Sequence, residues 1–149
     1  MLRPIFLASA LLISSISSFS ISASENSNWA VGGLYYEFGG LIGAKYTHQF
    51  DEKQAVTAAL GLFGYSLGYE YTLDDHVKIG GMFGQDLFYA DDGYLVGKAS
   101  YYFSGVNSSG FYWGASAGFK EDVCVWCGQD NSDTKEIQFT GGIHFGYQF

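Results

Sequence analysis

The sharpest motif in the sequence that could do chemistry is a cysteine pair, Cys124-Val125-Trp126-Cys127. Such a pair can act as a redox couple, as half of a zinc site or, when His follows, as a haem attachment. Gly128 follows here, which excludes covalent haem. There is no second cysteine pair for zinc and no βαβ pattern of the thioredoxin kind. In an exported protein the favoured interpretation is a structural disulfide between Cys124 and Cys127, with Trp126 presented in a surface loop to a partner.

Acidic residues follow the cysteine pair, and they raise the question of a metal ion. Calcium binds several oxygens that converge on one point, and Asp130 and Asp133 with the residues between them supply a few. The segment lacks the Gly and the ligand spacing of a dedicated calcium loop. Solvated loop charge is the better interpretation, and no metal site or cofactor is predicted.

These loops need a scaffold, and the hydrophobic pattern predicts a barrel of strands. Residues 137–149 alternate strictly, with apolar residues or Gly at odd positions and polar residues or Gly at even ones. Seven further runs of the same period precede them: 29–38, 41–50, 54–63, 65–73, 76–84, 94–103 and 110–120. Aromatic residues make up 19% of the chain and charged residues only 15%, with 21 Gly and one Pro. The prediction is an all-β protein, an antiparallel eight-stranded transmembrane up-and-down β-barrel.

The first 23 residues have the pattern of an export signal. Arg3 supplies the positive start, an apolar stretch follows at 5–16, and small residues end it at Ala23. We expect residues 1–23 to be removed as a signal peptide and residues 24–149 to form the barrel. Loss of Arg3 reduces the basic residues from 7 to 6 and moves the net charge from −8 to −9, which makes nucleic acid an unlikely partner.

The alternation also predicts a charged interior. It places Glu70, Lys45, Lys78 and Lys98 on the inward face, with Glu70 opposite Lys78 across the turn between the fourth and fifth strands. Unpartnered buried charge is costly, so an inward Glu37 near Lys45 is expected to reduce the excess of three lysines over Glu70. Because eight strands leave an interior only wide enough for side chains, a packed ion network is predicted and an open pore is not.

The connections suggest which way the barrel faces. Short turns at 51–53, 74–75 and 105–109 are predicted on the periplasmic side, and longer outer loops at 85–93 and 121–136 on the other. The remaining outer connections, Gly39-Gly40 and Gly64, are predicted to be very tight.

On the export signal and the aromatic terminal strand, the chain resembles the small eight-stranded outer-membrane β-barrel superfamily, the OmpA-like and OmpX-like group, over essentially its whole mature length. The resemblance implies location in the outer membrane, in contact with outer-membrane lipid. It also implies an assembly signal at Tyr147 and Phe149 that the barrel assembly machinery reads.

The family resemblance also implies two possible classes of enzyme. One class is barrels that modify the acyl chains of lipid A, and the other is surface proteases. The protease group uses ten strands. Of the histidines, His48 and His76 are expected near the periplasmic ends, with His76 pointing inward, and His144 is expected inside the last strand, so none is placed for catalysis near the outer rim. The prediction is therefore a non-catalytic structural or surface-interaction protein whose outer loops meet an unknown extracellular partner. An envelope-lipid-modifying enzyme and a narrow pore or small-ligand transporter are the alternatives.

Overall fold

Eight antiparallel strands form a closed barrel in which each strand pairs with its neighbours in sequence and β1 pairs with β8. The computed structural model describes residues 27–87, 90–122 and 136–149. The strands are β1 (Ser27–Gly33), β2 (Ile42–Gln49), β3 (Gln54–Gly61), β4 (Gly64–Thr72), β5 (Val77–Asp86), β6 (Ala90–Tyr102), β7 (Gly110–Asp122) and β8 (Glu136–Gln148). The predicted all-β, eight-stranded antiparallel barrel is confirmed. Within the described ranges, no helix has the length and apolar character needed to cross a membrane.

The alternation of side chains separates an apolar outer face from a polar interior. Along β8, Phe139 and Ile143 are exposed, by 74% and 56%, whereas His144 and Gln148 are each only 2% exposed. The two faces follow from the pleat, because successive side chains of a strand point to opposite sides.

Three connections lie at the end of the barrel where the described chain begins, and we call this the turn end. They span residues 50–53, 73–76 and 103–109. The carboxylate of Asp51 accepts hydrogen bonds from the N–H groups of Lys53 and Gln54, both at 2.8 Å. Asp74 repeats the arrangement with the N–H groups of His76 and Val77, at 2.7 and 2.9 Å. In the first two of these turns an Asp thus fixes the tight reversal that the alternation requires.

The first connection at the opposite end differs from the prediction. The strand predicted to reach Phe38 ends at Gly33, and Gly39-Gly40 is not a tight hairpin. Residues 34–41, which we call the lumenal plug, leave the sheet and fold into the barrel as a 3₁₀ helix at Tyr36–Phe38. Positive φ angles at Leu34 (69°) and Tyr35 (55°) turn the backbone inward, and Gly39 (66°) and Gly40 (125°) bring it back to β2.

The other connections at the plug end also shift. The predicted loop at 85–93 is wrong, because β5 continues to Asp86 and β6 begins at Ala90, leaving only 87–89 between them. Likewise β7 and β8 extend to Asp122 and Glu136, so the predicted loop at 121–136 narrows to 123–135. That stretch lies outside the described residues, and with it the predicted surface and disulfide positions Cys124, Trp126, Cys127, Asp130 and Asp133.

Candidate functional site

The barrel interior brings the five predicted ionic residues into one cluster. Lys45 lies on β2, Glu70 on β4, Lys78 on β5 and Lys98 on β6, while Glu37 comes from the lumenal plug. Their exposed fractions are between 1% and 6%. Three lysines therefore surround two carboxylates in a space closed to solvent.

Glu37 is contacted from several sides of the barrel wall. One carboxylate oxygen, Oε1, is paired with Lys45, lies 3.2 Å from Lys98 Nζ and accepts a hydrogen bond from the Tyr112 hydroxyl at 3.3 Å. The other, Oε2, lies 2.7 Å from His144 Nε2. The imidazole of His144 is thus an electrostatic partner of this second oxygen.

The electrostatics of Glu37, which lies outside the strands, follow from these contacts. Burial alone would raise the pKa of its carboxyl group, but Lys45, Lys98 and His144 outweigh burial and hold that pKa well below its usual range. Glu37 is therefore ionised in the folded barrel, and the plug carries a full negative charge into the lumen.

Glu70 is the second centre of negative charge. Its Oε1 lies 2.5 Å from Lys98 Nζ and 3.2 Å from Lys45 Nζ, so both lysines bridge the two glutamates. Lys78 Nζ is farther away, 3.7 Å from Glu70 Oε2, and has no hydrogen-bond partner among the described residues. The predicted cross-strand pairing was wrong in register. Glu70 pairs with Gly80, and Thr72 pairs with Lys78, so Lys78 reaches Glu70 diagonally.

Two tyrosines complete the cluster, and sequence reasoning missed both. Tyr102 and Tyr112 stack with ring centroids 4.6 Å apart. Lys45 Nζ lies 4.7 Å from the ring centroid of Tyr112, and Lys78 Nζ lies 5.1 Å from that of Tyr102. Each ring face stabilises an ammonium group by a cation–π interaction. The alternation of side chains could have identified them. Tyr102 lies four residues after Lys98 on β6, and Tyr112 lies four residues before Ser116 on β7, so each tyrosine is on the inward face of its strand.

Ser100, His144 and Glu37 have the residue types of a catalytic triad, but their geometry differs from one. Ser100 Oγ is 2.8 Å from His144 Nε2, the same nitrogen that faces Glu37, while His144 Nδ1 has no hydrogen-bond partner among the described residues. A triad uses the two ring nitrogens separately, one for the nucleophile and one for the carboxylate. His144 instead anchors the plug as a buried polar residue.

The other two histidines lie outside this cluster. His76, which was predicted to point inward, is exposed, and its ring stacks on Tyr101 with centroids 5.9 Å apart. This part of the prediction was wrong because His76 precedes the first residue of β5 and belongs to the turn. His48 is exposed near the turn end, beside Phe50.

The backbone of the plug is also tied to the wall. Ser66 Oγ donates a hydrogen bond to the Glu37 carbonyl oxygen at 3.0 Å, and the Tyr94 hydroxyl donates one to the Tyr36 carbonyl oxygen at 2.8 Å. Phe38 is fully buried beside Tyr112, with ring centroids 6.3 Å apart. The plug therefore fills the lumen with apolar rings as well as with charge.

The fold and the interior together define a closed eight-stranded barrel with a plugged, charged lumen. In the described part of the chain, no group of three or more His, Cys, Asp or Glu residues could hold a metal ion. No protein-family model, curated protein or solved structure matches this sequence.

Proposed function

We propose that this protein is an outer-membrane β-barrel that spans the bilayer and acts as a non-catalytic structural or surface-interaction protein. The observation that carries the proposal is that charged side chains lie inside the barrel and large apolar side chains lie on its outer face. Lys45, Glu70 and Glu37 are each 1% exposed, whereas Leu60 and Phe139 are each 74% exposed.

In water, the outer face would be unfavourable, because large continuous apolar patches are rare on soluble monomers. In a bilayer the apolar outer face contacts lipid acyl chains, and the charged side chains in the interior are kept away from lipid. The distribution therefore favours lipid as the surroundings of the barrel.

Aromatic side chains at the turn end support the same interpretation. Tyr101 and Phe103 lie side by side with centroids 5.6 Å apart, and Phe111, Tyr147 and Phe149 follow with successive separations of 5.0 and 5.2 Å. Membrane barrels carry such aromatic girdles where lipid meets water. This cluster includes the two residues proposed as the assembly signal.

The contents of the lumen favour a structural role over transport or catalysis. Phe38 and the ion cluster fill the interior from the plug to the middle of the barrel, which argues against an open pore. The shared nitrogen of His144 argues against a hydrolytic site. We therefore assign recognition to the loop at 123–135, where Trp126 and its acidic neighbours would meet an extracellular partner.

The proposal predicts where the protein is found and how it migrates. After export and removal of residues 1–23, the protein should fractionate with outer membranes, and the unheated sample should migrate differently from the boiled one, because a closed barrel resists detergent until heated. Membrane fractionation and paired gels of heated and unheated samples measure both. Recovery as a soluble periplasmic protein would contradict the proposal.

A further inference from the structure

The contacts around Glu37 have the form of a binding site. Two ammonium groups and a phenol hydroxyl meet one oxygen of a single carboxylate, and an imidazole nitrogen faces the other. Lys45, Lys98, Tyr112 and His144 belong to four different strands, so the closed barrel brings them together without the plug. The site is a property of the wall, and Glu37 is its occupant.

The occupant comes from a segment of the described chain that lies outside the strands. Residues 34–41 make few ladder hydrogen bonds, and their path needs left-handed backbone angles at Leu34 and Tyr35, which residues other than Gly rarely adopt. Folding the carboxylate into the lumen therefore strains the plug, whereas the groups that receive it stand on paired strands.

The wall is also shaped to receive the plug. A Cβ on Gly146 would lie 2.7 Å from Phe38 Cζ, and one on Gly142 would lie 2.8 Å from Tyr35 Cβ. Gly32, Gly43 and Gly61 likewise have no room for a side chain beside Phe38 and Gly39. The inward glycines thus make a chamber that receives the plug and lets it carry Glu37 to the lysines.

Charge on the wall indicates what the chamber would bind. Of the charged residues in the cluster, the strands supply Lys45, Lys78 and Lys98 against Glu70 alone. Without Glu37, the lysines outnumber the carboxylates by three to one in a space of low exposure, and this excess of positive charge favours binding of an anion in place of Glu37.

We propose that the barrel interior contains a binding site for one carboxylate group, which the chain fills with its own Glu37 and which a small free monocarboxylate such as formate or acetate occupies when Glu37 is absent. Lys45 and Lys98 pair with the bound carboxylate, Tyr112 donates a hydrogen bond to it, and His144 faces its second oxygen. The inference concerns the lumen alone and does not depend on the barrel spanning a membrane.

Chemical rescue tests the site. Glu37→Ala vacates it, and Glu37→Gln keeps it filled with an uncharged group of the same shape. Each variant and the wild-type protein are folded in detergent, and the midpoint of heat-induced unfolding is followed by the gel shift in sodium formate and in sodium chloride of equal concentration. For Glu37→Ala, we expect saturable binding of formate to reverse about half or more of the decrease in unfolding midpoint that the substitution causes. For the wild-type protein and Glu37→Gln, the midpoints in formate and in chloride should be the same.

A double variant locates the effect. Glu37→Ala combined with Lys98→Met removes one of the two ammonium groups, and the formate response should fall sharply. An equal response in all variants, or no formate-specific response in Glu37→Ala, would overturn the proposal. If Glu37→Ala does not fold in chloride, its refolding yield replaces the midpoint. Folding that depends on formate supports the site, and equal failure in both salts rejects it.

Discussion

Replacing Glu70 with Ala is expected to lower the free energy of unfolding of the barrel by about 3–5 kcal/mol, because removing one partner of a buried ion cluster leaves the others unpaired. Glu70 contacts Lys45, Lys78 and Lys98, and the fully buried site gives these ammonium groups no access to water. Equilibrium unfolding of the wild-type and variant barrels in urea measures the loss.

The contacts of Glu70 are unequal, and this supplies matched controls. Lys98→Met should cost more than Lys78→Met, since Lys98 Nζ lies 2.5 Å from Glu70 Oε1 while Lys78 Nζ lies 3.7 Å from Oε2. In a double-mutant cycle, Glu70→Ala with Lys78→Met should cost less than the sum of the two single changes. Additive losses would show that Lys78 and Glu70 do not interact, and a loss below about 1 kcal/mol for Glu70→Ala would mean that the cluster contributes little.

Placing a charge on the middle of the outer face is expected to have the second largest effect. Ala115 is exposed on β7, four residues from Phe111 and from Phe119 on the same face. If this face meets lipid, Ala115→Lys should destabilise the barrel by about 2–4 kcal/mol in vesicles, because Lys is costly at the bilayer midplane. Ser109→Lys, in an exposed turn, should cost about 0–1 kcal/mol, as expected near the interface.

Unfolding of both lysine variants from lipid vesicles measures these losses. The same two substitutions serve as a test of the surroundings of the barrel, since an exposed Lys is well tolerated in water. If Ala115→Lys lowers the free energy of unfolding no more than Ser109→Lys does, the outer face is solvated by water and not by lipid.

The strands could be predicted because side-chain alternation is local. The side chains of β8 from Ile137 onward show their faces by type wherever the residue is not Gly, and Lys45, Glu70 and Lys98 have inward positions for the same reason. The position of Glu37 was anticipated from charge balance, but its route was not. Residues 34–38 are as apolar and aromatic as the strands, and only their packing inside the closed barrel shows that they leave the sheet.

Register was harder to predict because it depends on turns. The parity predicted across this turn places Glu70 opposite Lys78, but the observed connection spans 73–76 and shifts the pairing of Glu70 to Gly80. The same change puts His76 outside. Tyr112 and His144 became partners of Glu37 through contacts between residues far apart in sequence, which alternation cannot show.

The central claim, that lipid surrounds the outer face, is tested most directly with a single-tryptophan protein. Trp113 is 50% exposed on the outer face of β7, and Trp29→Phe with Trp126→Phe leaves it as the only tryptophan. Its fluorescence is compared in vesicles of ordinary lipid and of lipid brominated along the acyl chains, which quenches only tryptophans that touch the chains. The account predicts strong quenching of the folded protein in brominated vesicles. Equal fluorescence in the two kinds of vesicle would contradict it.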